Sequence, residues 1–165
     1  MAREQPRRDV LREVTPEAIA EVRALIAGAD HGALATLDPA TGWPIASRVG
    51  LATLADGTPL IVASGLASHF EALVADPRCS LLIGVVGKGD PLAHPRVTIR
   101  CRARMIAAGT EEAGTARQSY LVKHPKSALY LDLPDFRLFG LGIVSARFNG
   151  GFGRAFEMDG ATLTG

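Results

Sequence analysis

The spacing of hydrophobic residues changes from helical to strand-like near position 30. Residues 16–28 carry their apolar side chains on one helical stripe, and Thr15 is placed as the N-cap of that helix. From His31 onward apolar and polar residues alternate with a period of two, which predicts β-strands. A helix is therefore predicted to precede a sheet.

The strand-like segments are short and are separated by turn signals. They cover residues 31–38, 44–54, 58–64, 79–86, 97–106, 135–144 and 146–158. Tight turns join the first three, which predicts an antiparallel meander. The nearly continuous apolar run 79–86 is typical of a buried strand. Gly150 and Gly151 interrupt the last segment, which predicts a bulge or a close backbone approach to a ligand.

Helices are predicted at residues 68–75 and from about 109 to 124, with a further helical turn at 127–131. Strands without a regular strand-helix-strand alternation favour a mainly β fold, a closed antiparallel barrel with helices at its rim. The highly charged residues 1–14 are expected to form a mobile N-terminal arm. Residues 15–165 are expected to form one domain.

Composition narrows the classes of partner. The 165 residues are 47% hydrophobic and carry a formal net charge of +1, so nucleic acid and anionic membrane are not expected as partners. The chain has no apolar run long enough to span a membrane and no leader-type segment at its start, and we expect a soluble cytoplasmic protein. Its two cysteines are expected to be buried, reduced thiols. Four scattered histidines give no metal site.

The loop Ser64 to His69 is the strongest candidate for a binding site. It places hydroxyls, a glycine and free backbone amides at a helix start, an arrangement suited to a phosphate group. Arg48 on the preceding strand is either its counter-charge or a solvated strand residue. Ser68 is expected at the N-cap, where its hydroxyl either takes a free amide or binds phosphate. His69 is either a phosphate ligand or a neutral surface histidine.

Arg154 follows the glycine-rich segment 150–153 and forms a second candidate. Its guanidinium and the neighbouring backbone either approach an anion or a ring carbonyl, or the glycines only bend the last strand. The sequence identifies no catalytic side chain, because its serines and histidines show no nucleophile-base spacing.

The segments SGLASHFEALVADPRCSLL and GFGRA, with the strand order around them, resemble the FMN-binding split barrel of the pyridoxamine 5'-phosphate oxidase-like superfamily. Within it the chain is most similar to the branch of haem-utilisation flavoproteins. The resemblance implies a homodimer with two FMN sites at the subunit interface. Arg48 matches the phosphate-binding arginine, and Ser47 and Val49 flank the backbone beside the flavin ring. Ser64, Ser68 and His69 line the phosphate loop.

Two features depart from the family pattern. The oxidases carry a basic pair where Ser68 and His69 stand, and they end in an Arg-x-His pattern, whereas no histidine follows His124 here. Oxidation of pyridoxamine phosphate is therefore not expected. Haem degradation is not expected either, because the haem branch adds a C-terminal domain that this sequence lacks.

Three functions remain open at this stage. The first is an FMN-dependent oxidoreductase acting on an unidentified small substrate, with the flavin supplying the redox chemistry. The second is a carrier or sensor that binds FMN or haem without turnover. The third is a barrel without cofactor that serves as an interaction module.

Overall fold

The computed structural model describes residues 11–165. Its helices are α1 (Pro16–Gly28), α2 (Ser68–Ala75) and α3 (Glu111–Lys123), with short 3-10 turns at Pro91–Ala93, Pro125–Leu129 and Gly160–Thr162. Its strands are β1 (His31–Leu37), β2 (Pro44–Gly50), β3 (Ala52–Thr53), β4 (Pro59–Ser64), β5 (Arg78–Ile83), β6 (Arg96–Met105), β7 (Phe136–Asn149) and β8 (Ala155–Asp159).

All eight strands belong to one antiparallel sheet. Its order is β2-β1-β5-β6-β7-β4-β3, and β8 pairs with the second half of β7. Although β2 stands at one end of this order, it also contacts β4 near the other end, so the sheet curls into a barrel. The predicted fold class, a mainly β split barrel with rim helices, is confirmed. The structure has eight strands where seven segments were predicted, because the segment 44–54 forms two strands, β2 and β3.

The interior of the barrel is filled by side chains from several strands of the sheet. The fully buried ones include Leu34, Leu81, Ile99, Leu141 and Phe139. Their alternation with exposed neighbours follows the period of two that predicted the strands. Helix α1 adds its buried stripe to this core. Helix α3 covers a smaller second cluster with Ala116 and Tyr120.

The start of α1 follows the prediction closely. The Oγ1 atom of Thr15 accepts a hydrogen bond from the N–H of Ala18 at 3.2 Å, and Pro16 is the first helical residue. Replacing such a cap by alanine typically costs about 1 kcal/mol. Val22 and Ile26 are buried on the predicted stripe. This helix start could be predicted because the cap is a local interaction.

Three sequence predictions about the strands were wrong in whole or in part. The Asp56-Gly57 turn joins β3 to β4 in antiparallel pairing as predicted, but β3 has only two residues and is separate from β2, and the rest of β4 pairs with β7. The buried strand predicted for residues 79–86 ends at Ile83, and Val85 and Val86 are exposed. The two predicted strands 135–144 and 146–158 are instead the single long β7 followed by β8.

The glycine-rich segment 150–153 is the turn between β7 and β8 and not a bulge within a strand. Gly151 and Gly153 have φ angles of 99° and 67°, values that favour glycine because it has no Cβ. The predicted mobile arm, residues 1–14, falls largely outside the described residues. From position 11 the chain is attached to β8: Leu11 bridges Ala155, and the N–H of Arg12 donates to the carbonyl oxygen of Ala155 at 2.8 Å.

Among residues 11–165, no helix is both long enough and apolar enough to cross a membrane.

Gly160 sits where β8 passes into the last 3-10 turn, and we predict that Gly160→Ala destabilises the protein. An added Cβ would lie 2.0 Å from the carbonyl oxygen of Ile143, so the backbone of β7 would have to move. Such overpacking costs about 1–3 kcal/mol or more. Gly28→Ala is the matched control, because a Cβ there meets nothing within 4 Å and alanine favours helix by up to about 1 kcal/mol. Urea unfolding of both variants measures the difference; equal stabilities would contradict the close approach.

Candidate functional site

The predicted flavin-binding stretch of β2 presents its residues on alternate faces of the sheet. Val49 is buried in the main core, and Ser47 is partly buried. Arg48 points to the outer face opposite Ala33, where it is exposed and has no ion pair among the described residues. With His31 it lines a cleft of about 350 Å³. Arg48 is thus available to an anion, as the prediction requires.

The loop after β4 is held by an acidic residue that the sequence did not suggest. The hydroxyl of Ser64 donates to Oδ2 of Asp135 at 3.0 Å, and the N–H of Gly65 donates to the carbonyl oxygen of Asp135 at 2.7 Å. The N–H of Leu66 in turn donates to Oγ of Ser64 at 3.2 Å. The Ser64 hydroxyl is therefore already engaged, and a carboxylate stands beside the predicted phosphate loop.

Helix α2 begins without a side-chain cap. Its N-cap is Ala67, so the prediction that Ser68 occupies the N-cap was wrong: Ser68 is the first helical residue and is exposed. The N–H of Phe70 donates to the carbonyl oxygen of Ala67 at 2.9 Å. Within residues 11–165 no hydrogen bond satisfies the N–H of Ser68 or His69. Two free amides at the positive end of a helix are a suitable anion site.

His69, in the first turn of α2, is partly buried. Burial lowers the pKa of its imidazole below the ordinary value, because desolvation penalises the cation. The neutral form therefore predominates near pH 7 when no anion is bound. Its neighbour Phe70 fixes the helix to the core through an edge-to-face contact with Phe139, with ring centroids 5.7 Å apart.

Arg154 is engaged within the fold. Its guanidinium donates to Oε1 of Glu21 on α1 at 2.8 Å, which joins the β7–β8 turn to the first helix. The two residues are 133 positions apart, so no sequence pattern predicts the pair. The predicted cofactor role of Arg154 would require this ion pair to be shared or broken.

The predicted residues therefore form two groups and one separate residue. The first group lies at the barrel rim around the start of α2 and consists of Ser64, Ser68 and His69. The second group lies on β2, which contacts β4, and consists of Ser47, Arg48 and Val49. Across the described residues no hydrogen bond or ion pair joins Arg48 or Arg154 to the loop 64–69.

The outer face of the sheet carries a further cleft of about 440 Å³. Arg78, Arg100 and Arg102 line it together with the exposed apolar side chains Leu37 and Val144. Two of these arginines have acidic neighbours. The Nη2 atom of Arg78 lies 2.6 Å from Oδ2 of Asp76, and the Nη1 atom of Arg100 lies 3.8 Å from Oε1 of Glu157. Positive charge beside apolar walls suits a flat ligand that carries carboxylates.

Comparison with known proteins identifies a family and named relatives. The family described as pyridoxamine 5'-phosphate oxidase matches residues 18–149. A curated relative, the chloroplastic non-canonical heme oxygenase HOZ of Arabidopsis thaliana, is 32% identical over 139 residues, which are 84% of this chain and 42% of that protein. The solved structure of a heme binding protein from Mycobacterium smegmatis is 34% identical with a TM-score of 0.83, over 92% of this chain and 61% of that one.

A second solved structure, that of a FAD-binding protein from Mesorhizobium loti, is 16% identical with a TM-score of 0.64 over 84% of this chain and 98% of that one. At this identity the similarity shows the fold alone. The chain spans less than half the length of its curated relative and less than two thirds of the mycobacterial protein.

We predict that the His69 side chain makes stability depend on pH in the acid range. Its folded-state pKa is lowered, so the unfolded chain binds more protons below about pH 6.5, the ordinary pKa of histidine. The free energy of unfolding should fall as pH drops from 7.5 to 5.5, and His69→Gln should reduce that fall. Urea unfolding of both proteins at both pH values measures the difference. Parallel curves would contradict the assignment.

Proposed function

The chain belongs to the pyridoxamine 5'-phosphate oxidase family, and on that premise we propose that it binds FMN and acts as an FMN-dependent oxidoreductase on a small substrate. The observation that carries the proposal is the uncapped start of α2, whose free amides lie in the loop that the sequence matched to a phosphate site. The residues present fit the phosphate end of FMN.

The phosphate is held by backbone donors and one arginine in this proposal. The N–H groups of Ser68 and His69 bind phosphate oxygens, helped by the partial positive charge of the helix start. Arg48 supplies the counter-charge and needs to break no ion pair within the described residues to do so. The Ser68 hydroxyl is free to add a hydrogen bond, because it does not cap the helix.

Asp135 limits what the rest of the loop contributes. Its carboxylate accepts a hydrogen bond from the Ser64 hydroxyl and lies close to the bound phosphate in this proposal. Like charges repel, so the loop binds phosphate well only when Arg48 offsets the carboxylate. Arg48 is therefore expected to matter more here than in a loop with a basic pair.

When bound, FMN supplies the hydride and electron chemistry. The chain's own contribution is to bind and orient it. The backbone of Ser47 and Val49 runs beside the ring, as the family resemblance implies, and the buried Val49 side chain fixes that backbone against the core. Neutral His69 adds a hydrogen-bonding group at the phosphate end, and an adjacent anion would raise its pKa.

We further propose that the protein is a homodimer, since the resemblance places each cofactor between two subunits. Leu37, Leu82 and Val144 are exposed apolar side chains on the outer sheet face, and such clusters usually mark an interface. Sedimentation at micromolar concentration tests this, and a monomer that still binds FMN would overturn the shared site. A cytoplasmic location remains a prediction.

Haem binding is the second candidate, and the names of two relatives above 30% identity, the heme oxygenase and the heme binding protein, favour it. The outer cleft offers three arginines for the haem carboxylates and apolar walls for the macrocycle. None of the residues that line it is a histidine, so the described cleft supplies no imidazole ligand for iron. The fit is therefore poorer than that of FMN at the α2 site.

The absorption spectrum of the purified protein after incubation with excess FMN or haemin, followed by desalting, separates the two candidates. Retained flavin bands support the proposal, and bleaching of these bands by a nicotinamide donor supports turnover. A retained haem band without flavin would replace the proposal with the second candidate. Retention of neither ligand would contradict both.

We predict that Arg48→Ala weakens FMN binding by about 1.5–3 kcal/mol, the range for a hydrogen bond to a charged group. The binding of riboflavin, which has no phosphate, should change little. Arg147→Ala is the matched control, because Arg147 is an exposed strand arginine on β7 without an ion pair in the described residues. Fluorescence titration with both ligands measures the effect. Equal losses for FMN and riboflavin would mean that Arg48 acts through the fold.

A further inference from the structure

Cys79 on β5 and Cys101 on β6 are direct cross-strand partners. The two strands are antiparallel neighbours, and the register places one cysteine opposite the other. They are the only cysteines of the chain, and both are free and buried, with exposed fractions of 7% and 3%. Sequence analysis treated them as two unrelated thiols because the pairing of β5 with β6 is not visible in the sequence.

The geometry of the ladder brings the two cysteines within reach of a covalent bond. The N–H of Ala103 donates to the carbonyl oxygen of Pro77 at 2.7 Å, which identifies that opposed pair as hydrogen-bonded. Pair types alternate along an antiparallel ladder, so the cysteine pair, two positions further on, is of the same type, with Cα atoms about 5.5 Å apart. Disulfides span Cα separations of about 4.4–6.8 Å.

The side-chain spacing is less favourable than the backbone spacing. Opposed Cβ atoms in a ladder are about 4.5–5.5 Å apart, and hydrogen-bonded pairs lie at the upper end of that range, whereas a disulfide needs about 3.5–4.5 Å. The strands would have to approach by about 1 Å at this point. A bond formed under such strain is readily reduced, so it would be reversible.

The surroundings make Cys79 the reactive partner. The pKa of its thiol is lowered, chiefly by the neighbouring Cys101 thiol, whereas that of Cys101 is raised by Cys79 and by burial. The Cys101 thiol itself donates to the carbonyl oxygen of Ile99 at 3.8 Å. Cys79 and Cys101 are among the residues that border the outer cleft, which gives a small oxidant a route to the pair. Thr36 borders the same cleft, and its buried hydroxyl has no hydrogen-bond partner in the described part of the chain.

We propose that Cys79 and Cys101 form a reversible oxidation site, in which hydrogen peroxide converts the two thiols to a cross-strand disulfide. The Cys79 thiolate attacks one peroxide oxygen, the O–O bond breaks, and the released hydroxide takes a proton to become water. The resulting sulfenic acid is attacked by the sulfur of Cys101. The S–O bond breaks, and a second water leaves with the Cys101 proton. Two thiols are oxidised, and one peroxide is reduced to two waters.

Oxidation would alter the outer cleft without involving a cofactor. Arg78 and Arg102 are adjacent in sequence to the two cysteines and stand opposite each other in the same ladder. Drawing β5 and β6 together at the cysteines therefore changes the spacing of two arginines that line the cleft. The site does not depend on whether FMN binds at α2.

The full chain, treated with hydrogen peroxide, quenched, unfolded and alkylated, tests the proposal by mass spectrometry. We expect alkylated thiols to fall from two per chain to none, with the loss of two hydrogens and a cross-linked peptide pair containing Cys79 and Cys101. Dithiothreitol should restore both thiols. The matched controls Cys79→Ser and Cys101→Ser should give no intrachain cross-link. Two thiols still alkylated after peroxide, oxygen addition in place of hydrogen loss, or only interchain cross-links would each overturn it.

Discussion

Strand β7 is hydrogen-bonded along both edges, and most of the sheet depends on it. One edge pairs with β6 from Phe139 to Asn149, and the other pairs first with β4 and then with β8. The irregular register opposite Arg100 and Cys101 adds a residue to β7, and such a bulge increases the local twist that lets one strand serve two partners. The start of β7 also fixes the candidate site, because Phe136 is paired with Ser64 and brings Asp135 to the phosphate loop.

Sequence reasoning succeeded where the deciding interaction is local. The Thr15 cap, the turn between β1 and β2, and the bounds of α2 all depend on residues within a few positions of one another. It failed where distant segments pair. Nothing in the spacing of residues 58–64 shows that this strand pairs with β7 and not with β2. The split of the last strand was placed at Ser145, which lies inside β7, because an alternating pattern does not reveal a bulge.

The positions of the candidate residues were predicted, but the charge around them was not. Arg48 lies on a strand and Ser68 and His69 lie at a helix start, as expected, and burial lowers the pKa of His69, in keeping with the neutral alternative. The role of Asp135 could not be predicted from the sequence, because this residue is 71 positions away from Ser64. Its carboxylate places a negative charge beside the loop. Glu21, the ion-pair partner of Arg154, is even further away in the sequence, at 133 positions. The electrostatics of this site therefore come from long-range pairing, which the sequence does not display.

The filled barrel interior restricts where any cofactor can bind. Leu34, Leu81 and Ile99 are fully buried, and the buried polar side chains of the described residues are limited to Thr36 and Ser127. A core packed in this way has no room for a flavin or a macrocycle, because protein interiors leave few voids larger than a water molecule. A ligand must then bind on the surface, and the start of α2 and the outer face with its arginines are two such places. The sheet thus acts as a rigid support for binding sites on its surface. Residues that fix the curvature of the sheet affect ligand binding only indirectly, by setting the positions of those two surfaces.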